Sequence, residues 1–204
     1  MEQTRHIAGF STPIFRFKFP EAAQFNQELL EEGCRLRTAD EGVSMSNRGG
    51  WHSTGNLYAQ TAPCIQRLKE MSRTAVIGST RKMNAKADPD SFGIKLFAWM
   101  NANPPGGYNA PHTHPGAHWS GVYYVSQPKV ETGSSGKIEF LDPRSDLPNW
   151  QMLKIPAFDP KISIRPEPGE MILFPSYLVH WVHPNVTEEE RVTIAFNAIF
   201  QKSN

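Results

Sequence analysis

The sequence predicts a mainly β protein, a sandwich or barrel of antiparallel strands braced by two or three N-terminal helices. Three observations carry that expectation. From residue 92 onward short apolar runs are cut by turn residues, and both stretches with helical spacing lie before residue 85. Seventeen prolines and fifteen glycines accompany an apolar fraction of 39%, a composition suited to many short elements joined by tight turns. No internal repeat, low-complexity tract or linker divides the 204 residues. They therefore read as one domain, with the helical brace mainly over 20–85 and the β core over about 92–201. A chain of this size buries roughly 70% of the surface its unfolded form exposes, so no disulfide staple is needed.

Taken in order, residues 10–19 alternate aromatic and basic side chains at Phe15, Arg16, Phe17, Lys18 and Phe19, the period of a strand with one buried face. After Pro20, residues 21–37 place Ala22, Phe25, Leu29, Leu30 and Cys34 near helical spacing, with Pro20 and Glu21 as the start. Residues 44–55, with Gly49, Gly50 and Trp51, read as an irregular loop or short strand. Residues 62–83 carry Ile65, Leu68, Met71, Ala75 and Val76 on one stripe behind Pro63, a second helix. Strands follow at 94–100, 119–125, 137–141, 171–174, 179–182 and 192–200. The Pro104-Pro-Gly-Gly107 segment reads as a hairpin turn or a lid.

Formal charge is +1, from 21 basic and 20 acidic residues spread along the chain, which leaves no electrostatic footprint for nucleic acid or an anionic membrane. No apolar run approaches the roughly 18 residues of a spanning helix, and the first residues lack the apolar core of a signal peptide. The expectation is a cytoplasmic protein in which Cys34 and Cys64, without CxxC spacing, are free thiols.

The chemistry-bearing feature is His112-Thr-His114, just before the run Trp119-Ser-Gly-Val-Tyr-Tyr-Val125. Residues two apart on an extended strand share a face, so both imidazoles can reach one metal ion. His180 and His183 compete for a third position; they are three apart and face opposite ways, and His180 lies within the apolar run. His6, His52 and His118 read as ordinary side chains. Arg191 opens an alternating strand that puts Arg191, Thr193, Ala195 and Asn197 on one small, polar face and Val192, Ile194, Phe196 and Phe200 on the other. An arginine there offers a fork of donors matching a carboxylate bidentately, for an anionic cosubstrate.

These residues resemble a known family. Trp99-Met-Asn-Ala-Asn103, His112-Thr-His-Pro115, Phe140-Leu-Asp-Pro-Arg144, residues 168–176, His180-Trp-Val182 and Arg191-Val-Thr-Ile-Ala-Phe-Asn197 are similar to the 2-oxoglutarate and Fe(II)-dependent oxygenases of bacteria and phages. The likeness extends to the opening Thr12-Pro-Ile-Phe15 and to the 47–53 loop. It implies a double-stranded β-helix, Fe(II) held by His112 and His180, and 2-oxoglutarate whose far carboxylate pairs with Arg191. It also implies O2-driven oxidation of an unidentified small-molecule or protein side-chain substrate, with decarboxylation of 2-oxoglutarate to succinate. One departure is notable: His114 stands where most of the superfamily has Asp or Glu. Either His114 ligates, water fills the place, or Asp142 reaches in; the turn-like Asp142-Pro143 favours His114. Tyr123 or Tyr124, one to each face, can contact the cosubstrate, as can Asn197; Tyr123 is the choice carried forward. The rival readings are a catalytic zinc site, a cupin-type dioxygenase or isomerase without 2-oxoglutarate, and a non-catalytic jelly-roll binding module. A homodimer stays open.

Overall fold

The computed structural model describes residues 11–144, 155 and 159–202. His6 and Phe10 lie outside the described residues. The chain runs β1 (Phe15–Lys18), α1 (Ala22–Ala39), β2 (Asn47–Arg48), β3 (Trp51–His52) and α2 (Pro63–Met83). It continues through β4 (Phe92–Asn103), β5 (Tyr108–His112), β6 (Trp119–Ser126), β7 (Ile138–Leu141), β8 (Lys161–Ile164), β9 (Glu170–Pro175), β10 (His180–Val182) and β11 (Arg191–Lys202). The mainly β expectation matches, as do both helices. Helix α1 starts one residue later than expected because Glu21 adopts a left-handed conformation, φ 59°, and caps the helix instead of entering it. The opening strand is shorter, at Phe15–Lys18. Strand β8, absent from the expected set, is an exposed piece paired with β7, and its Lys161-Ile-Ser-Ile164 alternation spans only four residues.

Among the described residues all strand pairs are antiparallel and form two sheets. The larger has the order β1-β9-β6-β11-β4-β3 and the smaller β2-β5-β10-β7-β8. Helical periodicity explains the brace. Phe25 and Leu29 of α1, with Ile65, Leu68 and Val76 of α2, bury against Ala98, Met100, Tyr123, Met171, Ile194 and Phe196 on one face of the larger sheet. Gly33 permits the approach of α1, since a Cβ there would meet Met100 Sδ at 2.6 Å. The other face packs on the smaller sheet through Val122, Tyr124, Ile172 and Phe174 against Ile138, Phe140 and Val182. Segment 104–107 is a turn linking β4 of one sheet to β5 of the other. It is tied down by bonds from Gly107 N to Pro104 O, Gly106 N to Asn185 O and Asn185 N to Gly107 O. Cys34 and Cys64 are free.

Candidate active site

Between the sheets lies a cavity whose lining includes His112, His114, His180, Arg191, Tyr124 and Thr193. Strand register explains how distant residues meet there. His180 on β10 pairs directly with His112 on β5, so two adjacent strands of the smaller sheet present their imidazoles side by side. Strand β5 ends at His112; His114 lies beyond it, held by its backbone N–H donating to Ser176 O at 2.9 Å. The three rings nevertheless converge, with centroids 4.9 Å apart for His112 and His114, 4.3 Å for His112 and His180, and 5.1 Å for His114 and His180. One nitrogen from each lies within 4.8 Å of the others, a spacing able to hold one metal ion.

Two of the rings are oriented by backbone. His112 Nδ1 lies 2.7 Å from Ala110 O and His180 Nδ1 lies 2.9 Å from Leu178 O. A carbonyl only accepts, so Nδ1 carries the proton in both and Nε2 is left as a lone-pair donor. His114 instead packs against Trp99, with ring centroids 5.6 Å apart, and Trp99 stacks on His52. Burial, reinforced by the neighbouring imidazoles, pushes His114 down to about 4 and His180 to about 3, while burial also lowers His112. All three are neutral, ligand-competent imidazoles near pH 7.

Residues proposed as competitors point elsewhere. His183 Nε2 lies 3.3 Å from the Glu139 carboxylate, which also accepts from Trp181 Nε1 and Lys161 Nζ. Asp142 is engaged by Arg144 and is not in the histidine cluster. Tyr123 requires a correction: it faces the helices, donating from its hydroxyl to Asn26 Oδ1 at 2.7 Å among Phe19 and Phe25. Tyr124, the next residue, faces the cavity. Asn197 shares Arg191's face but accepts a 2.8 Å bond from Ser120 Oγ and does not line the cavity, because it lies six register pairs along β11 from Arg191.

Arg191 is 2% exposed and its Nε donates to Gln127 Oε1 at 2.9 Å. Among the described residues no carboxylate pairs with it. Tyr124 lies beneath, with its ring centroid 5.3 Å from the guanidinium carbon. Its hydroxyl has no partner in hydrogen-bonding geometry, although the guanidinium lies close enough to oppose the upward pKa shift caused by burial. Asn101 and Asn103, on the same face of β4, also hold buried amide atoms without partners. Of the five such atoms among the described residues, four belong to Asn101, Asn103 and Tyr124. Buried polar atoms are ordinarily satisfied, and Asn101 and Tyr124 both line the cavity, so their open atoms mark a surface built for a ligand. Trp99, Asn101 and Gln127 were not identified from sequence; the unexplained polar alternation of Trp99-Met-Asn-Ala-Asn103 was the available signal.

Residues 97–197 match the model of the family described as "Putative 2OG-Fe(II) oxygenase". The chain belongs to the 2OG-Fe(II) oxygenase family. Solved structures agree with the fold of this oxygenase. A Pseudomonas putida prolyl-4-hydroxylase is 16% identical at TM-score 0.62, covering 95% of each chain. A prolyl hydroxylase from Trichoplax adhaerens, in complex with a hypoxia inducible factor oxygen degradation domain peptide fragment, is 14% identical at TM-score 0.63, over 93% of this chain and 83% of that one. HygX from Streptomyces hygroscopicus, with nickel and 2-oxoglutarate bound, is 13% identical at TM-score 0.62, over 95% and 86%. No curated protein matches. At these identities the structures speak for the double-stranded β-helix alone. The family makes this oxygenase an oxidoreductase of the dioxygenase class.

Proposed function

We propose that this protein is a 2-oxoglutarate- and Fe(II)-dependent dioxygenase that oxidises an uncharged group of a small-molecule or protein side-chain substrate, using O2 and releasing succinate. The supporting observation is Arg191, a buried cation without a carboxylate partner among the described residues, in the same cavity as three neutral imidazoles. An isolated buried charge is costly, so a site that keeps one is suited to receive an anion.

The residues fit the absent groups. His112, His114 and His180 would hold Fe(II) through their inward-facing nitrogens, and the Arg191 fork and Tyr124 hydroxyl would take the far carboxylate of 2-oxoglutarate. Together the bound metal and oxo acid supply an oxidation coupled to decarboxylation. The chain's own contribution is orientation and exclusion of water. Ala110 O and Leu178 O fix two imidazole tautomers, and Val122, Ile138, Phe174 and Val182 line the cavity with hydrocarbon. Three neutral ligands leave the centre one unit more positive than two histidines and a carboxylate would, which strengthens its attraction for an anion. Arg191 is the one permanently charged side chain among the described lining residues, hence an uncharged reacting group on the substrate.

The test is anaerobic titration with Fe(II) and 2-oxoglutarate, followed by assay of succinate in air. Arg191→Lys should weaken 2-oxoglutarate binding and spare metal binding, because the bidentate fork is lost. Parallel loss of both assigns Arg191 to the fold. The all-histidine donor set also favours a cupin-type dioxygenase; metal binding without 2-oxoglutarate binding would select that reading.

A further inference from the structure

Gln127 directly follows β6 and is 8% exposed. Its side-chain oxygen takes the Nε proton of Arg191, leaving the two terminal nitrogens for other partners. The pair is packed from the far side by Gly136, in a turn at φ 63°. A Cβ at that position would sit 2.3 Å from Gln127 Nε2 and 3.5 Å from Arg191 Cδ, so the turn closes over both residues. Arg165 anchors the same turn, donating to Gly133 O at 2.7 Å and Ser135 O at 3.3 Å. Arg191 is thereby bounded by Tyr124, Gln127 and the 133–136 turn.

We infer that Gln127 is a positioning residue for anion recognition, a neutral acceptor that aims the Arg191 fork into the cavity without cancelling its charge. The inference rests on the proposed role of Arg191 toward 2-oxoglutarate. Its chemical basis is the near-identity in shape of glutamine and glutamate. A glutamate at 127 would accept the same Nε bond and compensate the buried cation internally, which favours the empty fold. It would also remove the net positive charge that an incoming carboxylate meets. The amide satisfies the geometry and leaves the charge for the ligand.

The experiment compares wild type, Gln127→Glu and Gln127→Leu. Each is loaded with Mn(II) as a redox-inert stand-in and titrated calorimetrically with 2-oxoglutarate; the metal-free proteins are melted separately. Gln127→Glu should bind Mn(II) like wild type, melt at or above the wild-type temperature, and lose on the order of tenfold or more in 2-oxoglutarate affinity. Gln127→Leu, which frees Nε but keeps the cation uncompensated, should lose less. Unchanged 2-oxoglutarate affinity in Gln127→Glu overturns the positioning role while leaving the cosubstrate reading intact. Joint loss of Mn(II) and 2-oxoglutarate binding, or equal loss in both variants with lowered melting temperatures, makes Gln127 structural and overturns it too. Wild type that takes up Mn(II) but no 2-oxoglutarate overturns the cosubstrate reading, and the positioning role with it.

Discussion

Tyr123 and Tyr124 are neighbours in β6, equally buried at 0% exposure, yet they occupy chemically opposite surroundings. Tyr123 enters the helix-backed core, where Phe19 and Phe25 contact its ring edge-on and Asn26 accepts its hydroxyl proton. Tyr124 enters the space between the sheets, where its hydroxyl has no hydrogen-bonding partner and a buried guanidinium lies over its ring. On the helix-backed side of the larger sheet a single buried hydroxyl, Ser79 Oγ of α2, lacks a partner among the described residues; the second side leaves four atoms of Asn101, Asn103 and Tyr124 open. A fold can satisfy buried polar groups when it needs only stability. Where it does not, a ligand is the physical reason to look for first.

The contrast can be broken by substitutions that separate stability from ligand binding. The largest effect should come from His180→Ala on the open side: metal affinity and turnover drop by ~100-fold or more, with folding retained in circular dichroism. On the closed side, Leu68→Ala removes a fully buried leucine and should destabilise by about 2–5 kcal/mol in urea unfolding, with metal affinity unchanged. The tyrosine pair sharpens the comparison. Tyr123→Phe strands the Asn26 acceptor and should cost about 1–3 kcal/mol of stability without altering 2-oxoglutarate affinity. Tyr124→Phe should leave stability level or slightly raised, since it deletes an unpaired buried hydroxyl, and should weaken 2-oxoglutarate binding several-fold by calorimetry.

The smallest effect concerns pH. His114 and His180 are lowered to about 4 and about 3 in the folded chain, whereas in the unfolded chain each titrates near the ordinary imidazole value of about 6.5. Between those values the unfolded state binds more protons, so acid favours unfolding. The metal-free protein should therefore lose melting temperature steadily as pH falls from about 6.5 toward 4, and His114→Gln should flatten that slope. An unchanged slope in the variant would remove His114 from the buried cluster.

Much of this was legible beforehand because it depends on local periodicity. The two helices, most strands and the shared face of Arg191, Thr193 and Ala195 follow from spacings of 3.6 and 2, while the apolar run around His180 set it apart from His183. What escaped depends on contacts across the fold. Alternation puts Tyr123 and Tyr124 on opposite faces but does not say which face meets helices and which meets the cavity. Gln127 sits past a strand end, 64 positions from the arginine it orients, and Asn197 reads as a cavity residue until its register with Ser120 is known.

The chain by itself determined that His112, a later histidine and a late arginine stand on strands of a mainly β protein, because the alternation of side chains is a property of each strand alone; His114 lies just past its strand's end. Only the tertiary structure decided that His112 and His180 lie side by side, that Tyr124 and not Tyr123 accompanies Arg191, and that this cation is buried without a carboxylate among the described residues. Register between strands and burial arise from contacts between segments distant in sequence, which no single segment encodes.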